Sequence, residues 1–297
     1  MTRPFIAVDW GTTSFRAYHV SADGRALDER RSNDGILAVK DGAFEEALEQ
    51  HLKGWDVALP VIAAGMITSR QGWVELPYVD CPAGAGELAK AIVAKPLASG
   101  RRVHFVTGLH VKSESLGHDV MRSEETQVFG SLASGAAHFV TPGTHSKWID
   151  IDEGRIVRFE TYVTGESFAL YRNHSILGRL MTGDGDDKAA FARGVEKALA
   201  DPAGLLHSLF SVRSLGLYNE VGAEALSSYL SGLLIGAEVA HAIKQRKRDG
   251  LYLVLASSGI ASRYLRAMHM AGLKAEMGDS LAIVAGERLI AEAAGII

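Results

Sequence analysis

Short apolar or alternating runs open the chain. PFIAVD (4–9), SFRAYHVS (14–21) and ALDERRSN (26–33) carry the two-residue period of strands, and turn residues separate them, with Asp23-Gly24 marking a hairpin. An antiparallel meander is expected there. Helical spacing in AFEEALEQHL (43–52) is followed by a strand at PVIAAG (60–65), and alternating helix and strand signals continue to VHFVTG (103–108). HFVTPGTHSKWIDI (138–151) and RIVRFETYV (155–163) again read as strands, divided by the turn Glu153-Gly154. From residue 166 to about 247 the pattern is helical, ending in the long segment 223–248. LYLVLAS (251–257) is one more strand, feeding a helix at 260–272, and an apolar helix at 280–295 closes the sequence. Strands and helices mixed in this order predict an α/β protein.

A short internal repeat sharpens that picture. Gly11-Thr12-Thr13-Ser14 lies between two strands, and Asp23-Gly24-Arg25 turns the chain shortly afterwards. Gly143-Thr144-His145-Ser146 sits the same way in the second half, followed by Glu153-Gly154-Arg155. Two copies of strand, G-T-x-S, strand, acidic-Gly-Arg, strand suggest two related halves, although two ordinary hairpins could share turn residues.

Composition narrows the class of function. The 297 residues can bury one large core or two ordinary ones, and a net charge of −4 offers no basic field for a nucleic-acid backbone, so no nucleic-acid partner is expected. No run approaches the roughly 20 apolar residues of a membrane span, and the opening residues lack the pattern of a signal peptide, so no membrane association and a cytoplasmic location are expected. Cys81 is the single cysteine; in the context DCP (80–82) it reads as structural rather than as a reactive thiol.

The chemistry-bearing residues cluster around the repeat. A Gly-Thr-x-Ser turn presents backbone N–H groups and hydroxyls, which is what a polyphosphate needs. Neither a Gly-Lys pair of the P-loop kind nor a strand-associated G-x-G-x-x-G is present as a rival. Asp9 ends the first strand beside the first turn, where a carboxylate can hold Mg²⁺ or bond its own turn. In RSEETQVFGSL (122–132), Glu124 and Glu125 begin a helix; they are either dipole partners or a base for a substrate hydroxyl. The loop after the strand at 60–65 carries Ser69, Arg70 and Trp73, suited to a polar anionic small molecule, with Arg70 able to grip a carboxylate. Glu166 and Ser167 are natural helix caps, and Glu166 is also a substrate-binding candidate. The acidic segment GDGDD (183–187) lacks calcium-loop spacing, and KQRKR (244–248) fits a helix C-terminus.

These pieces resemble the sugar kinase/actin/Hsp70 superfamily. VDWGTTSFR (8–16) is similar to its first phosphate motif, TPGTHSKW (141–148) to the second, and VLASSGIASRY (254–264) to its adenosine motif. Together with GMITSRQGW (65–73), VMRSEETQVFG (120–130) and HSILGRLM (174–181), they resemble the 2-dehydro-3-deoxygalactonokinase family over nearly the whole chain.

The resemblance implies two ribonuclease-H-like (actin-like ATPase) domains, each an α/β unit with a mixed central sheet flanked by helices, and a cleft between them. The lobes would be 1–137, with the sugar-acid site and first phosphate motif, and 138–297, with the second phosphate and adenosine motifs; the helix at about 281–297 would pack back on the first lobe. It implies ATP-dependent phosphorylation of the 6-hydroxyl of 2-dehydro-3-deoxy-D-galactonate in galactonate breakdown, with Mg²⁺. Asp9 becomes the magnesium-side carboxylate and Gly11, Thr12 and Thr13 the β/γ-phosphate turn. Gly143, Thr144 and Ser146 become the second phosphate turn, and Ser258 with Gly259 the adenosine contact. Where related sugar kinases place an Asp before a short helix, this chain has Glu124-Glu125, as in the exopolyphosphatase branch. The partner is a small-molecule sugar acid; a homodimer is left open, as are a kinase for another sugar or sugar acid of the superfamily and a non-catalytic actin-like nucleotide switch.

Overall fold

The computed structural model describes residues 3–113, 117–183, 185–246 and 249–297. Asp184 of the acidic segment and Lys247 and Arg248 of the basic one lie outside the described residues. The first part of the chain forms β1 (Phe5–Trp10), β2 (Phe15–Val20), β3 (Ala26–Ser32), α1 (Phe44–His51), β4 (Val61–Ala64), β5 (Val79–Asp80), α2 (Ala85–Lys90), β6 (Val93–Pro96), β7 (Arg102–Phe105), β8 (Leu109–Ser113), β9 (Gly117–Met121) and α3 (Glu124–Gly130). There follow β10 (His138–Thr141), β11 (Ser146–Asp152), β12 (Arg155–Tyr162), α4 (Thr164–His174), α5 (Lys188–Ala200), α6 (Leu205–Leu217), α7 (Leu226–Ala242), β13 (Leu251–Val254), α8 (Ser258–Met270), β14 (Lys274–Met277) and α9 (Ala282–Ala293).

The chain divides into two compact units, one of residues 1–135, 149–159 and 279–297 and one of 136–148 and 160–278. In the first, six strands run in the order β3-β2-β1-β4-β7-β6. β1 pairs antiparallel with β2 and parallel with β4, and β4 pairs parallel with β7. The second sheet has the order β12-β11-β10-β13-β14, with β10, β13 and β14 parallel. Both are the mixed sheets of a ribonuclease-H-like fold: a three-strand meander whose first strand then accepts parallel neighbours, with helices supplying the crossovers.

The internal repeat maps onto equivalent places in those two sheets. Gly11–Ser14 joins β1 to β2, and Gly143–His145 joins β10 to β11. The Asp23-Gly24 turn has Gly24 at φ 90°, and Glu153 and Gly154 both have positive φ, 48° and 73°, which gives a two-residue turn the twist of its flanking strands. Ile6, Val8, Trp10, Phe15 and Phe105 are buried in the first core, and Val140, Trp148, Phe191, Tyr252 and Val254 in the second. α7 is buried around nearly its whole circumference, with Ser227, Ser228, Ser231 and Glu238 as its buried polar residues.

A third sheet, β5-β8-β9, has no counterpart in the sequence reading; β5 has only two residues and β9 (GHDVM) lacks an alternating apolar pattern, so only β8 (LHVKS) carries a period-2 signal. The long helical segment expected at 223–248 resolves into α7, ending at Ala242, and a 3₁₀ turn at Ile243–Gln245. Asp187 caps α5, its side chain accepting from Ala190 N–H. Burial, with Asp80 and Glu125 nearby, pushes the Cys81 thiol up to about 12, which suits the structural role read from its context. Among the described residues no helix is long and apolar enough to cross a membrane.

Candidate active site

The first unit gathers residues far apart in sequence at the carboxyl ends of its parallel strands, where open α/β sheets bind their ligands. Asp9 lies near the end of β1, in register with Ala64 of β4 and Arg16 of β2. The turn after it is closed by Gly11 N–H donating to the Ser14 carbonyl (2.9 Å), and it is held from behind by Ile36 and Leu37, whose N–H groups donate to the Gly11 and Thr12 carbonyls. Thr12 and Thr13 are exposed. Gly35 presses against this turn: a Cβ there would fall 2.3 Å from both the Thr12 carbonyl oxygen and the Thr13 nitrogen.

Ser123 reaches Asp9 from across the unit, its hydroxyl donating to Oδ1 at 2.9 Å. It does so from a left-handed backbone, φ 96°, a strained state for a residue other than glycine. Two interactions fix that turn: Glu124 Oε2 accepts from Arg122 N–H, and Glu125 Oε1 accepts from Ser123 N–H, both at 2.9 Å. Burial raises the Asp9 carboxyl; Arg16, 3.9 Å away, and the Ser123 hydroxyl oppose the shift, and Glu124 adds to it. Glu125 is only 1% exposed, its Oε2 has no partner, and burial beside Glu124 pushes it up to about 7. Glu124 is half-buried, so of the two α3 glutamates it is the one a ligand can touch.

The loop at 65–76 behaves differently from its sequence reading in part. Ser69 is buried and its hydroxyl donates to the Met66 carbonyl at 2.7 Å. Trp73 packs between Phe44, stacked at 6.2 Å, and Phe105, edge-on at 5.4 Å. Both are occupied in shaping the loop, whereas Arg70 is exposed beside a cavity that Arg122 and Tyr78 also line.

In the second unit the Gly143 turn and the start of α8 follow β10 and β13, which run parallel, so both again lie at carboxyl strand ends. Thr144 and His145 are exposed, and His145 Nε2 lies 2.7 Å from Glu166 Oε2. Glu166 is therefore in the first turn of α4 rather than its cap, and its N–H donates to the Thr144 carbonyl at 3.0 Å. That approach depends on Gly165, whose Cβ would meet the Gly143 carbonyl oxygen at 2.2 Å. Ser146 is fully buried: its hydroxyl donates to Glu238 Oε1 at 2.6 Å, beside the Trp148 indole at 2.8 Å, while Tyr264 donates to Oε2 at 2.7 Å. Its hydroxyl thus anchors the turn to α7 and leaves the backbone at Gly143 and Thr144 to face a ligand.

A cavity of about 570 Å³ opens beside that turn, walled by Phe168, Leu234, Ile235, Ile260 and Tyr264, with Arg263, Ser231 and the His145–Glu166 pair among its polar members. Ser258 and Gly259 are exposed at the start of α8, and Ile260 directly after them lines the cavity.

Three groups escaped the sequence reading: Arg122 and Glu287, which are buried, and Ser123, which is partly buried. Arg122 and Ser123 stand beside the α3 glutamates, but nothing local in RSEE signals a positive φ or a bond to a residue so distant in the chain. Glu287 is the third: fully buried on α9, it accepts from Val8 N–H at 3.0 Å, leaves Oε1 unpartnered, and is raised well above the ordinary range by burial and by Asp9. Its signal was available, because Glu287 falls four residues after Ile283 and three before Ile290 on the buried stripe of α9.

The chain is similar to known proteins along nearly its whole length. The sequence model of the 2-keto-3-deoxy-galactonokinase family matches residues 9–290. An Escherichia coli (strain K12) protein named 2-dehydro-3-deoxygalactonokinase is 34% identical over 297 residues, covering 99% of each chain. A Rhizobium meliloti (strain 1021) protein named "Probable 2-dehydro-3-deoxygalactonokinase DgoK1" is 36% identical over 286 residues, covering 93% of this chain and 92% of its own. A crystal structure of a Sinorhizobium meliloti protein, provisionally assigned the same activity, superposes with a TM-score of 0.89 at 35% identity, covering 97% of this chain and 98% of that one.

Proposed function

The chain belongs to the 2-keto-3-deoxy-galactonokinase family, and on that footing we propose that it transfers the γ-phosphoryl group of ATP to the 6-hydroxyl of 2-dehydro-3-deoxy-D-galactonate in galactonate catabolism, as a cytoplasmic enzyme. It is an ATP-dependent sugar-acid kinase. The observation that carries the residue assignment is the Ser123–Asp9 hydrogen bond, which ties the end of β1 to the segment bearing Glu124 and Glu125.

Within the second unit the cavity takes the adenine and ribose, with Ser258 and Gly259, which precede the cavity-lining Ile260 in the chain, as the adenosine contact, and the Gly143-Thr144 turn takes phosphate oxygens on backbone N–H groups. In the first unit Gly11, Thr12 and Thr13 take the β- and γ-phosphates. Glu124 accepts the proton of the sugar-acid hydroxyl as its oxygen bonds to the γ-phosphorus and the bridge to the β-phosphate breaks; ADP leaves with the bridging oxygen. Glu125, tied to Ser123 and Thr126, holds the turn that presents Glu124. Such catalysis is positioning and electrostatics rather than covalent chemistry.

Asp9 suits a magnesium ion. Mg²⁺ takes one or two protein carboxylates and fills its shell with phosphate oxygens and water, so a protein cage of several acidic groups is not required; none occurs among the described residues. A largely buried carboxylate whose charge is met by Arg16 only at 3.9 Å, with Glu124 close enough to raise it further, is a setting that favours a cation. Such an ion, when bound, supplies charge neutralisation for the nucleotide phosphates.

Gly35 gives a test of the first phosphate turn. Its φ of −66° is open to alanine, so Gly35→Ala acts only through the collision with Thr12 and Thr13. Overpacking of this kind costs about 1–3 kcal/mol. Steady-state kinetics should show KM for ATP raised by about tenfold, while KM for the sugar acid changes far less; equal changes in both would remove the turn from the nucleotide site.

The substrate is tested by ADP release from a panel of six-carbon 2-keto-3-deoxy acids of both configurations. The galacto acid should give the highest kcat/KM. Preference for the gluco epimer would move the protein to a different sugar acid, and no ADP release with any acid would end the kinase reading.

A further inference from the structure

Arg122 directly precedes the strained Ser123 turn and is 8% exposed. Its Nη1 donates to the Thr68 carbonyl (2.7 Å) and hydroxyl (2.5 Å) and lies 3.5 Å from the Thr107 hydroxyl, and its Nη2 donates to the Leu76 carbonyl (3.2 Å). Every one of those partners is neutral. Among the described residues no carboxylate forms an ion pair with the guanidinium, its Nε is buried with no partner, and the Tyr78 ring covers one side at 4.2 Å. A buried cation without an anion costs several kcal/mol, and that cost is relieved when an anion with matching geometry arrives.

The space for such an anion is present. Arg122 and Tyr78 line a cavity of about 460 Å³ with Arg70, Glu75, Leu76 and Pro77. Arg70 and Glu75 are both exposed, so the buried charge of the pocket is the single positive one on Arg122. Ser69 and Trp73 hold the loop that displays Arg70: the Ser69 hydroxyl is spent on the Met66 carbonyl, and Trp73 N–H donates to the Ile67 carbonyl at 2.8 Å. A planar guanidinium with an unused N–H, stacked on an aromatic ring, matches the geometry of a carboxylate.

Resting on the sugar-acid kinase reading, we propose that Arg122, assisted by Arg70, is the carboxylate-recognition subsite and selects acids over neutral sugars of the same chain. Because Arg122 adjoins Ser123 and Glu124 in the backbone, the group that reads one end of the substrate is rigidly linked to the group that deprotonates the other. Arg70 supplies a second, solvent-exposed donor. Ser69 and Trp73 act through the loop.

The test is calorimetric binding, without nucleotide, of the 2-keto-3-deoxy acid and of its C1 alcohol, in which CH₂OH replaces the carboxylate. The wild type should prefer the acid by about 30-fold or more, the lower bound for losing one partner of a buried charged pair. Arg122→Gln should bring that ratio within about threefold while leaving affinity for the alcohol nearly unchanged, and Arg70→Gln should reduce it partly. An intact preference in Arg122→Gln, or equal losses for acid and alcohol, overturns the subsite. If Arg122→Gln does not fold, Arg122→Lys substitutes for it: retained charge without the planar fork should cut the preference about tenfold, and an unchanged ratio overturns the proposal. Binding and turnover separate the two claims. A wild type that prefers the acid but never phosphorylates it sinks the kinase reading and leaves the subsite standing, whereas one that phosphorylates it while Arg122→Gln keeps full preference sinks the subsite alone. A wild type with no preference also sinks the subsite.

Discussion

Asp9→Asn loses phosphoryl transfer by about 10³-fold or more while its melting temperature stays at or above that of the wild type. The loss has the size expected when a preorganised electrostatic group is removed from a transferring centre. The stability expectation comes from the surroundings. Asparagine has the same shape, its carbonyl oxygen can still accept from the Ser123 hydroxyl, and burial already disfavours the charge that the substitution removes. Single-turnover measurements with ATP and sugar acid saturating, paired with thermal melts, check both parts. Turnover within tenfold of the wild type would remove Asp9 from the chemistry; a large drop in melting temperature would make its role structural.

Glu124→Gln lowers kcat by about 10²-fold or more, the low end for losing a general base, with KM for ATP nearly unchanged. Glu125→Gln costs activity less and instead changes the pH dependence of stability. In the folded protein Glu125 titrates at about 7 against 4.5 for an ordinary glutamate. A raised pKa means that its contribution to stability is full below about 4.5 and is lost as pH rises through 7. Removing the titrating group should therefore make the variant gain on the wild type across that window by up to roughly 3 kcal/mol, at 1.36 kcal/mol per pKa unit, and hold the gain above it. The amide placed at the unpartnered Oε2 position costs about 1–3 kcal/mol at every pH, so the slope is diagnostic and the absolute difference is not. Denaturant titrations between pH 4.5 and 8 measure it. A hundredfold loss in Glu125→Gln with near-normal turnover in Glu124→Gln would exchange the two assignments.

What could be read from the sequence, and what could not, follows from the range of the interactions. The two G-T-x-S turns and the hairpin turns at Asp23-Gly24 and Glu153-Gly154 are local, and their equivalence is visible in the matched sheet orders β3-β2-β1-β4 and β12-β11-β10-β13. The pairing of Glu124 with Glu125 at a helix start is local as well. Ser146 shows where local reading stops: a hydroxyl in a phosphate-like turn serves a ligand or the core depending on where α7 places Glu238, which is 92 residues away in the chain. Ser69 and Trp73 diverge from Arg70 for the same reason, because burial sorts the three and composition does not. Glu287 and Arg122 are buried charged side chains, and their meaning comes from what surrounds them: the β1 backbone and Asp9 in one case, neutral acceptors and a cavity in the other.

The most direct measurement is identification of the product by ¹H–³¹P NMR after wild-type protein is incubated with ATP, Mg²⁺ and 2-dehydro-3-deoxy-D-galactonate. The expected result is one new phosphomonoester coupled to the C6 protons, formed in equal amount with ADP. ADP accompanied only by inorganic phosphate, phosphate on a different carbon, or unconsumed ATP would contradict it.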